Sequence, residues 1–232
     1  MSAGRVLAPL AAVLALAGCS TPPGPAPSMP APRIPADAVA YDDLLSVDRE
    51  FPFSGDCEQV DAALLKELGY SASAEVHASQ FDSSCAIVED RDGAFYISAV
   101  KPNEPGAKVF ERAWMGDAAL VDIGYFRRSI LDDRYYATWS FRKQGLRADD
   151  GFNLNCYLTV DTGSDQALVF REMATESVYA AHQDLIDAEA AGDDKPVEEI
   201  RRFMEARCPA LETKALTVLA AIDPGGGSLA TG

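Results

Sequence analysis

The stretch Asn153-Leu-Asn-Cys-Tyr-Leu-Thr-Val160 decides the fold, because apolar residues alternate strictly with others along it. Side chains of a β-strand point in turn to the two faces of a sheet, so the pattern predicts a strand with one buried face. That face would carry Leu154, Cys156, Leu158 and Val160. Residues 162–165, Thr-Gly-Ser-Asp, provide a turn into a second predicted strand at 166–173. The sequence therefore predicts a β-hairpin over residues 152–173.

Further strand and helix patterns surround this hairpin. Strands are predicted over residues 76–81, 85–88, 94–100, 119–126 and 134–141. Helices are predicted over residues 56–69, 107–115, 175–207 with a break near 192–194, and from Pro209 to about 222. Asp56 and Gln59 have the spacing of a capping box for the first helix. Strands joined by short turns, with helices at both ends, predict an α+β domain whose largely antiparallel sheet is flanked by N-terminal and C-terminal helices.

Four cysteines, Cys57, Cys85, Cys156 and Cys208, predict two disulfide bonds if the protein is exported. Three pairings are possible. Cys57 lies on the apolar stripe of the first predicted helix, and Cys85 opens a predicted strand. Cys156 lies on a buried strand face, and Cys208 shares the apolar stripe of the last helix. We therefore predict sequential pairing, in which each disulfide joins a helix to a strand.

The first 18 residues have the plan of a cleavable signal peptide. A positive charge at Arg5 precedes an apolar stretch over residues 6–17, and Leu16-Ala17-Gly18 leads to Cys19. The stretch is shorter than the about 20 residues that span a bilayer. Its end is similar to the lipobox of bacterial lipoproteins, which predicts lipidation of Cys19 and anchoring to the extracytoplasmic face of the cell membrane. The alternatives are an ordinary secretory cleavage site, with Cys19 a spare thiol, and a buried apolar helix.

Composition divides the rest of the chain into three parts. Residues 19–36 hold seven prolines and little apolar bulk, which predicts an extended tether rather than a packed segment. Residues 37–224 have a globular composition and a length that suits a single domain. The glycine-rich residues 225–232 are predicted to be a flexible tail. The formal net charge of −16 repels phosphate backbones, so we expect no nucleic acid among the partners.

Recognised catalytic motifs are missing from the sequence. It contains no H-E-x-x-H, no cysteine-histidine zinc spacing, no G-x-S-x-G and no C-x-x-C. We therefore predict no catalytic residue, no metal ligand and no cofactor, and we interpret His77 and His182 as surface or structural residues. Asp90-Arg-Asp92-Gly93 and the acidic pairs at 132–133, 149–150 and 193–194 are interpreted as solvated turns or loops rather than calcium ligands or catalytic carboxylates.

Tyr136 is the candidate ligand contact. It falls on the strand face opposite to Tyr135 and Ala137, where it would line a groove for a lipid, a glycan or a peptide. The alternative is a tyrosine that covers the sheet without binding anything.

The cysteine positions, the lipobox and the proline-rich spacer together resemble actinobacterial lipoproteins of unknown function that share one two-disulfide domain. The residues that carry the resemblance are Asp56-Cys57-x-x-Val60, the strand Cys156-x-Leu-x-Val and the helix opened by Cys208, and it covers most of residues 53–222. It implies a helix-covered antiparallel sheet similar to that of the Mog1/PsbP group, and it implies no catalytic residues.

Two classes of function follow as hypotheses. The favoured one is a non-enzymatic, membrane-anchored binding protein of the cell envelope, whose partners are the membrane, through the lipid on Cys19, and an envelope protein, lipid or glycan. The alternative is a secreted hydrolase with a site built from scattered acids and His77 or His182. A pocket that holds a histidine beside an acid with a shifted pKa would favour the hydrolase.

Overall fold

The computed structural model describes residues 48–55, 57–79, 83–89, 93–104, 106–115, 123–143, 152–190 and 195–229. The predicted signal peptide, Cys19 and the tether lie outside these residues, and so does Asp56. Within the part that is described, none of the helices has the length and apolar character needed to cross a membrane.

The described residues contain one antiparallel sheet of seven strands. The strands are β1 Glu75–Ala78, β2 Ser83–Val88, β3 Phe95–Val100, β4 Ile123–Leu131, β5 Tyr135–Lys143, β6 Phe152–Asp161 and β7 Ala167–Glu172. Their order across the sheet is β1-β2-β3-β7-β6-β5-β4. Two meanders, β1-β2-β3 and β4-β5-β6-β7, therefore meet where β3 pairs with β7. The antiparallel α+β architecture is confirmed.

Helices precede the sheet, interrupt it and follow it. They are α1 Ala62–Glu67, α2 Val109–Met115, α3 Glu176–Ala181, α4 Gln183–Ala190, α5 Lys195–Arg207 and α6 Ala210–Ile222. One face of the sheet packs against residues of α1, α5 and α6, among them Leu64, Met204 and Leu219, to form the main core. Burial of this continuous apolar face is the principal stabilising contribution to the fold.

The β4–β5 hairpin differs from the prediction in its position along the chain. β4 was expected at residues 119–126 but runs from Ile123 to Leu131, because the turn lies at Asp132 and Asp133. Both aspartates have positive φ, 50° and 51°, as the two central residues of a type I′ turn do. The amide of Arg134 closes the turn by donating to the carbonyl of Leu131 at 3.0 Å. This acidic pair is therefore a solvated turn.

The first helix starts later than its capping-box pattern indicated. Asp61 caps α1 by accepting a hydrogen bond from the Leu64 amide at 2.9 Å. Gln59 instead holds the preceding loop, because its side chain accepts from the Ser54 amide at 2.9 Å and donates to the Pro52 carbonyl at 2.8 Å. The capping box at Asp56 and Gln59 was thus wrong, since the loop captures the glutamine.

Both disulfides have the sequential pairing, Cys57 with Cys85 and Cys156 with Cys208. Their strand cysteines lie in β2 and β6 and are fully buried. The other two cysteines were expected in helices, and this was wrong. Cys57 lies in the loop before α1 with a φ of 66°, and Cys208 lies at the turn between α5 and α6. The first disulfide therefore ties the loop before α1 to the sheet, and the second ties the turn between α5 and α6 to it.

The C-terminal segment is packed as far as Leu229, in contrast to the predicted flexible tail. The Leu229 amide donates to the Arg134 carbonyl at 2.8 Å, and the Ser228 hydroxyl accepts from the Tyr136 amide at 3.0 Å. Strand β6 ends at Asp161, so the segment satisfies backbone groups of Arg134 and Tyr136, at the start of β5, that lie beyond the end of the neighbouring strand. The prediction failed because three glycines also suit a close approach of backbone to backbone.

Candidate functional site

The two faces of the sheet are covered very differently. One face packs against α1, α5 and α6 in the main core. The opposite face, hereafter the second face, packs against the short helix α2. Phe110 and Trp114 of α2 are buried against Tyr136 and Ala167 of the sheet. The Trp114 and Tyr136 rings meet edge to face, with centroids 4.9 Å apart. Beyond this cluster the second face carries half-buried residues of β3, β6 and β7.

Tyr136 therefore has a different role from the one expected. It does lie on the face opposite to the main core, but only 1% of it is exposed because α2 covers it. Tyr136 belongs to a second, smaller core and does not line an open groove. A strand pattern reveals the face on which a residue lies but not whether a distant helix covers that face.

A pocket of about 380 Å³ opens beside α2 on the second face. It lies between the loop after β3, the helix α2 and residues Thr159, Ala167 and Val169 of β6 and β7. Its apolar lining is Val100, Pro102, Ala107, Val109, Ala113, Ala167 and Val169, and its polar lining is Lys101, Asn103, Glu104, Lys108 and Thr159. The volume falls within the range of about 300–1,000 Å³ that is typical of small-molecule sites.

A buried ion pair fixes the loop that forms one wall of this pocket. The Lys108 ammonium lies 3.3 Å from Oδ2 of Asp161, a residue with no exposed side-chain surface. Burial raises the pKa of the Asp161 carboxyl, whereas Lys108 and the hydrogen bond from the Gly163 amide oppose that effect. The Val109 amide adds a second tie by donating to the Asp165 carbonyl at 3.0 Å. The pocket wall is thus held to the β6–β7 turn from two sides.

A cationic row lies next to the pocket on the second face. The strand register places Tyr96, Arg171 and Tyr157 side by side on β3, β7 and β6. The Arg171 guanidinium stacks on the Tyr96 ring at 3.8 Å from its centroid. Its Nε is buried without a hydrogen-bond partner, and no carboxylate of the described residues forms an ion pair with it. Arg171 is therefore a positive charge that is stacked on an aromatic ring and has N–H groups available to donate hydrogen bonds to a ligand.

Register also shows that this row and the pocket are contiguous. Two residues further along the strands, Ser98, Val169 and Thr159 form the adjacent row, and two of these three residues line the pocket. Residues two apart on a strand are about 7 Å apart on the same face. A single ligand of modest length can therefore contact both the pocket and Arg171.

The two histidines lie away from this region. His77 is on the edge strand β1 and pairs with Glu75 at 3.0 Å, with 57% of its side chain exposed. His182 lies between α3 and α4, where Nδ1 is 2.9 Å from the Val178 carbonyl oxygen and the ring packs on Phe203. Neither lines the pocket, so the structure does not bring them together with Asp161, the acid of shifted pKa beside the pocket.

Other sequence candidates contribute no described site. Across the described ranges, no group of three or more histidine, cysteine or acidic side chains has the arrangement of a metal site. The acidic pairs at 149–150 and 193–194, the stretch Asp90-Arg-Asp92 and Cys19 lie outside the described residues.

Sequence reasoning missed Arg171, Lys108 and Asp161. A signal existed only for Arg171, which is a charged residue inside a predicted strand and on the face opposite to Phe170. Lys108 and Asp161 are 53 residues apart in the chain, and nothing in either local pattern indicates that they meet.

Comparisons with models of protein families, with curated proteins and with solved structures find no match to this chain. The resemblance to actinobacterial lipoproteins therefore stays a prediction from the residues that carry it.

Proposed function

We propose that the protein is a lipid-anchored protein of the extracytoplasmic face of the cell membrane and acts by binding a partner on the second face of its sheet. The observation that carries the binding role is the pocket beside α2 with the adjacent cationic row. Concave sites with a mostly apolar lining and a few convergent polar groups are the usual form of ligand sites. The lipobox at residues 16–19 and the proline-rich tether support the anchor.

A binding role accounts for these features better than the hydrolase does. A hydrolase that uses histidine needs that residue within hydrogen-bond reach of a nucleophile or an acid in a cleft. The pocket is lined by aliphatic side chains and by lysine, asparagine, glutamate and threonine. Turnover of esterase, glycosidase or peptidase substrates by the purified protein, abolished in His77→Ala or His182→Ala with folding intact, would reverse this preference.

Site-specific photo-cross-linking in intact cells tests the binding role. A photoreactive amino acid replaces Ser98, which lies on the second face, and in a matched control it replaces Arg127, which is exposed on the opposite face of the sheet. We expect a discrete cross-linked partner from position 98 and not from position 127. Equal products from the two positions, or none from position 98, would contradict a binding role for the second face.

The anchor has its own test. Cys19→Ala should release the processed protein into the medium or accumulate it as uncleaved precursor, because one acyl-bearing residue is the proposed link to the bilayer. Stable membrane association of a correctly cleaved Cys19→Ala protein would contradict the anchor.

A further inference from the structure

We propose that the second face binds an amphiphile with one apolar chain and one anionic head group: the chain occupies the pocket beside α2, and the head group pairs with Arg171. The inference rests on the proposed binding function and names the chemical class of its ligand. The minimal ligand of this class is a long-chain carboxylate.

The charge of Arg171 identifies the head group. The chain as a whole is strongly acidic, with a formal charge of −16, yet this guanidinium lies without a carboxylate partner among the described residues. Guanidinium presents several N–H donors in a planar fork that matches a carboxylate or a phosphate. Lys101 adds a second cation at the pocket, opposed by Glu104. An anionic group is therefore the complement of the site.

The pocket identifies the rest of the ligand as an aliphatic chain. Seven of its twelve lining residues are apolar, among them Val100, Val109 and Val169, and Val100 is an exposed large apolar residue, at 40%. Burial of apolar surface here gains about 25 cal/mol per Å². An apolar chain can reach this lining because the rows of Arg171 and Val169 are neighbours on one face.

The stacking of Arg171 argues against a glycan. Sugar rings bind to the open faces of aromatic side chains, and the guanidinium already covers one face of Tyr96. Tyr157 is only 8% exposed, so little of its ring is open to a sugar. The aromatic residues of the second face thus support the cation rather than offer a platform.

The test uses the full chain in vesicles of neutral phosphatidylcholine. The probe is a palmitate analogue with a photoreactive diazirine in its chain and an alkyne for detection, and labelled peptides are mapped by mass spectrometry. We expect saturable labelling of peptides that contain residues 100–109 and 159–169. Excess palmitate should suppress it, whereas hexadecanol, which has the same chain without the charge, should not.

Three variants assign the contacts. Arg171→Met removes the charge but keeps a long side chain, and it should lower labelling about tenfold, the typical effect of losing one charge-assisted contact. Val169→Trp fills the pocket and should lower it to a similar degree. Arg127→Met removes an arginine from the opposite face of the same sheet and should leave labelling unchanged. Circular dichroism checks that each variant is folded, and Arg171→Met decides by itself if Val169→Trp does not fold.

Three outcomes would overturn the proposal of an anionic amphiphile: no labelling, labelling that hexadecanol suppresses as well as palmitate does, or labelling that is unchanged in Arg171→Met. Such a result would leave the binding function to be judged separately, by the cross-links from position 98 in cells. Failure of the ligand assignment and failure of the proposed function are thereby distinguishable.

Discussion

The Tyr135 hydroxyl donates a hydrogen bond to the main-chain carbonyl of Asp223 at 2.9 Å and lies 3.2 Å from its carboxylate, although 88 residues separate the two in the chain. Arg49 pairs with the same carboxylate at 3.1 Å, so three distant segments meet at the end of α6. Burial and the negative charge of Asp223 raise the pKa of Tyr135, which keeps the hydroxyl a donor at neutral pH. This contact fixes where the C-terminal segment leaves the last helix.

Tyr135→Phe should therefore lower the free energy of unfolding by about 1–2 kcal/mol, because it removes a buried donor and leaves the Asp223 oxygens with fewer partners. Tyr70→Phe is the matched control, since the only hydrogen bond that the Tyr70 hydroxyl makes with the described residues is a long one of 3.5 Å, donated by Lys214. Urea denaturation measures both variants. Equal losses in the two would contradict a specific role for the Tyr135 contact.

Because the C-terminal segment is packed on the sheet, we expect substitution by alanine to have different effects on stability at Gly225 and Gly227. Gly227 has a φ of 135°, and an added Cβ would clash with the Arg134 carbonyl oxygen, whereas a Cβ on Gly225 would meet nothing within 4 Å. We expect Gly227→Ala to destabilise the protein by about 1–3 kcal/mol and Gly225→Ala to change stability by less than about 0.5 kcal/mol. Thermal unfolding compares them. If the two are equally tolerated, the segment is not packed on the sheet in solution.

The two disulfides should differ in their contribution to stability. Cys57–Cys85 closes a loop of 28 residues and Cys156–Cys208 one of 52. Chain-entropy arithmetic gives about 3.5 kcal/mol for the shorter loop and about 4 kcal/mol for the longer one. Paired replacements, Cys57→Ser with Cys85→Ser and Cys156→Ser with Cys208→Ser, test this by urea denaturation. Non-reducing peptide mapping checks the connectivity, and a Cys57–Cys208 peptide would contradict it.

Asp161 should make stability depend on pH in a defined direction. Burial raises its pKa in the folded protein, so the folded state holds the proton more tightly than the unfolded state does. Stability from this group is therefore greatest below its ordinary pKa of about 4, and it falls as the pH rises through the folded value. The unfolding free energy of the wild type, relative to Asp161→Asn, should decrease from pH 4 upward. A difference that is constant with pH would show that the carboxyl does not titrate in this way.

Lys108→Met should destabilise the protein strongly, because it leaves the Asp161 carboxylate buried without its cation. Removal of one partner from a buried ion pair typically costs about 3–5 kcal/mol. Lys101→Met is the control, since Lys101 lines the same pocket but is exposed. Denaturant unfolding at pH 7 compares them, and similar small effects would mean that the Lys108–Asp161 pair does not hold the pocket wall.

Some elements were predictable because local patterns specify them. Strand β6 was predicted with the observed bounds, 152–161, since its period-two alternation continues to the turn. Helix α2 was expected at 107–115 and spans Val109–Met115. The start of α1 was not predicted, because Gln59, the residue that signals a capping box, instead bonds to Ser54 and Pro52.

The candidate site was less predictable than the fold. Tyr136 was placed on the correct face, but α2 buries it, and the open part of that face carries Arg171 instead. The neighbours of Arg171 come from β3 and β6, 75 and 14 residues away in the sequence. They become neighbours of Arg171 only because the strand order places β7 between β3 and β6.

The sequence by itself determined the α+β class, the hairpin at its centre and that Cys156 faces the core, because these depend on side-chain periods of two and 3.6 residues within single elements. The tertiary structure decided what lies on the second face, how the C-terminal glycines pack and that Lys108 meets Asp161. Those features depend on which elements become neighbours, and that is settled by the burial of the whole apolar face rather than by any local segment.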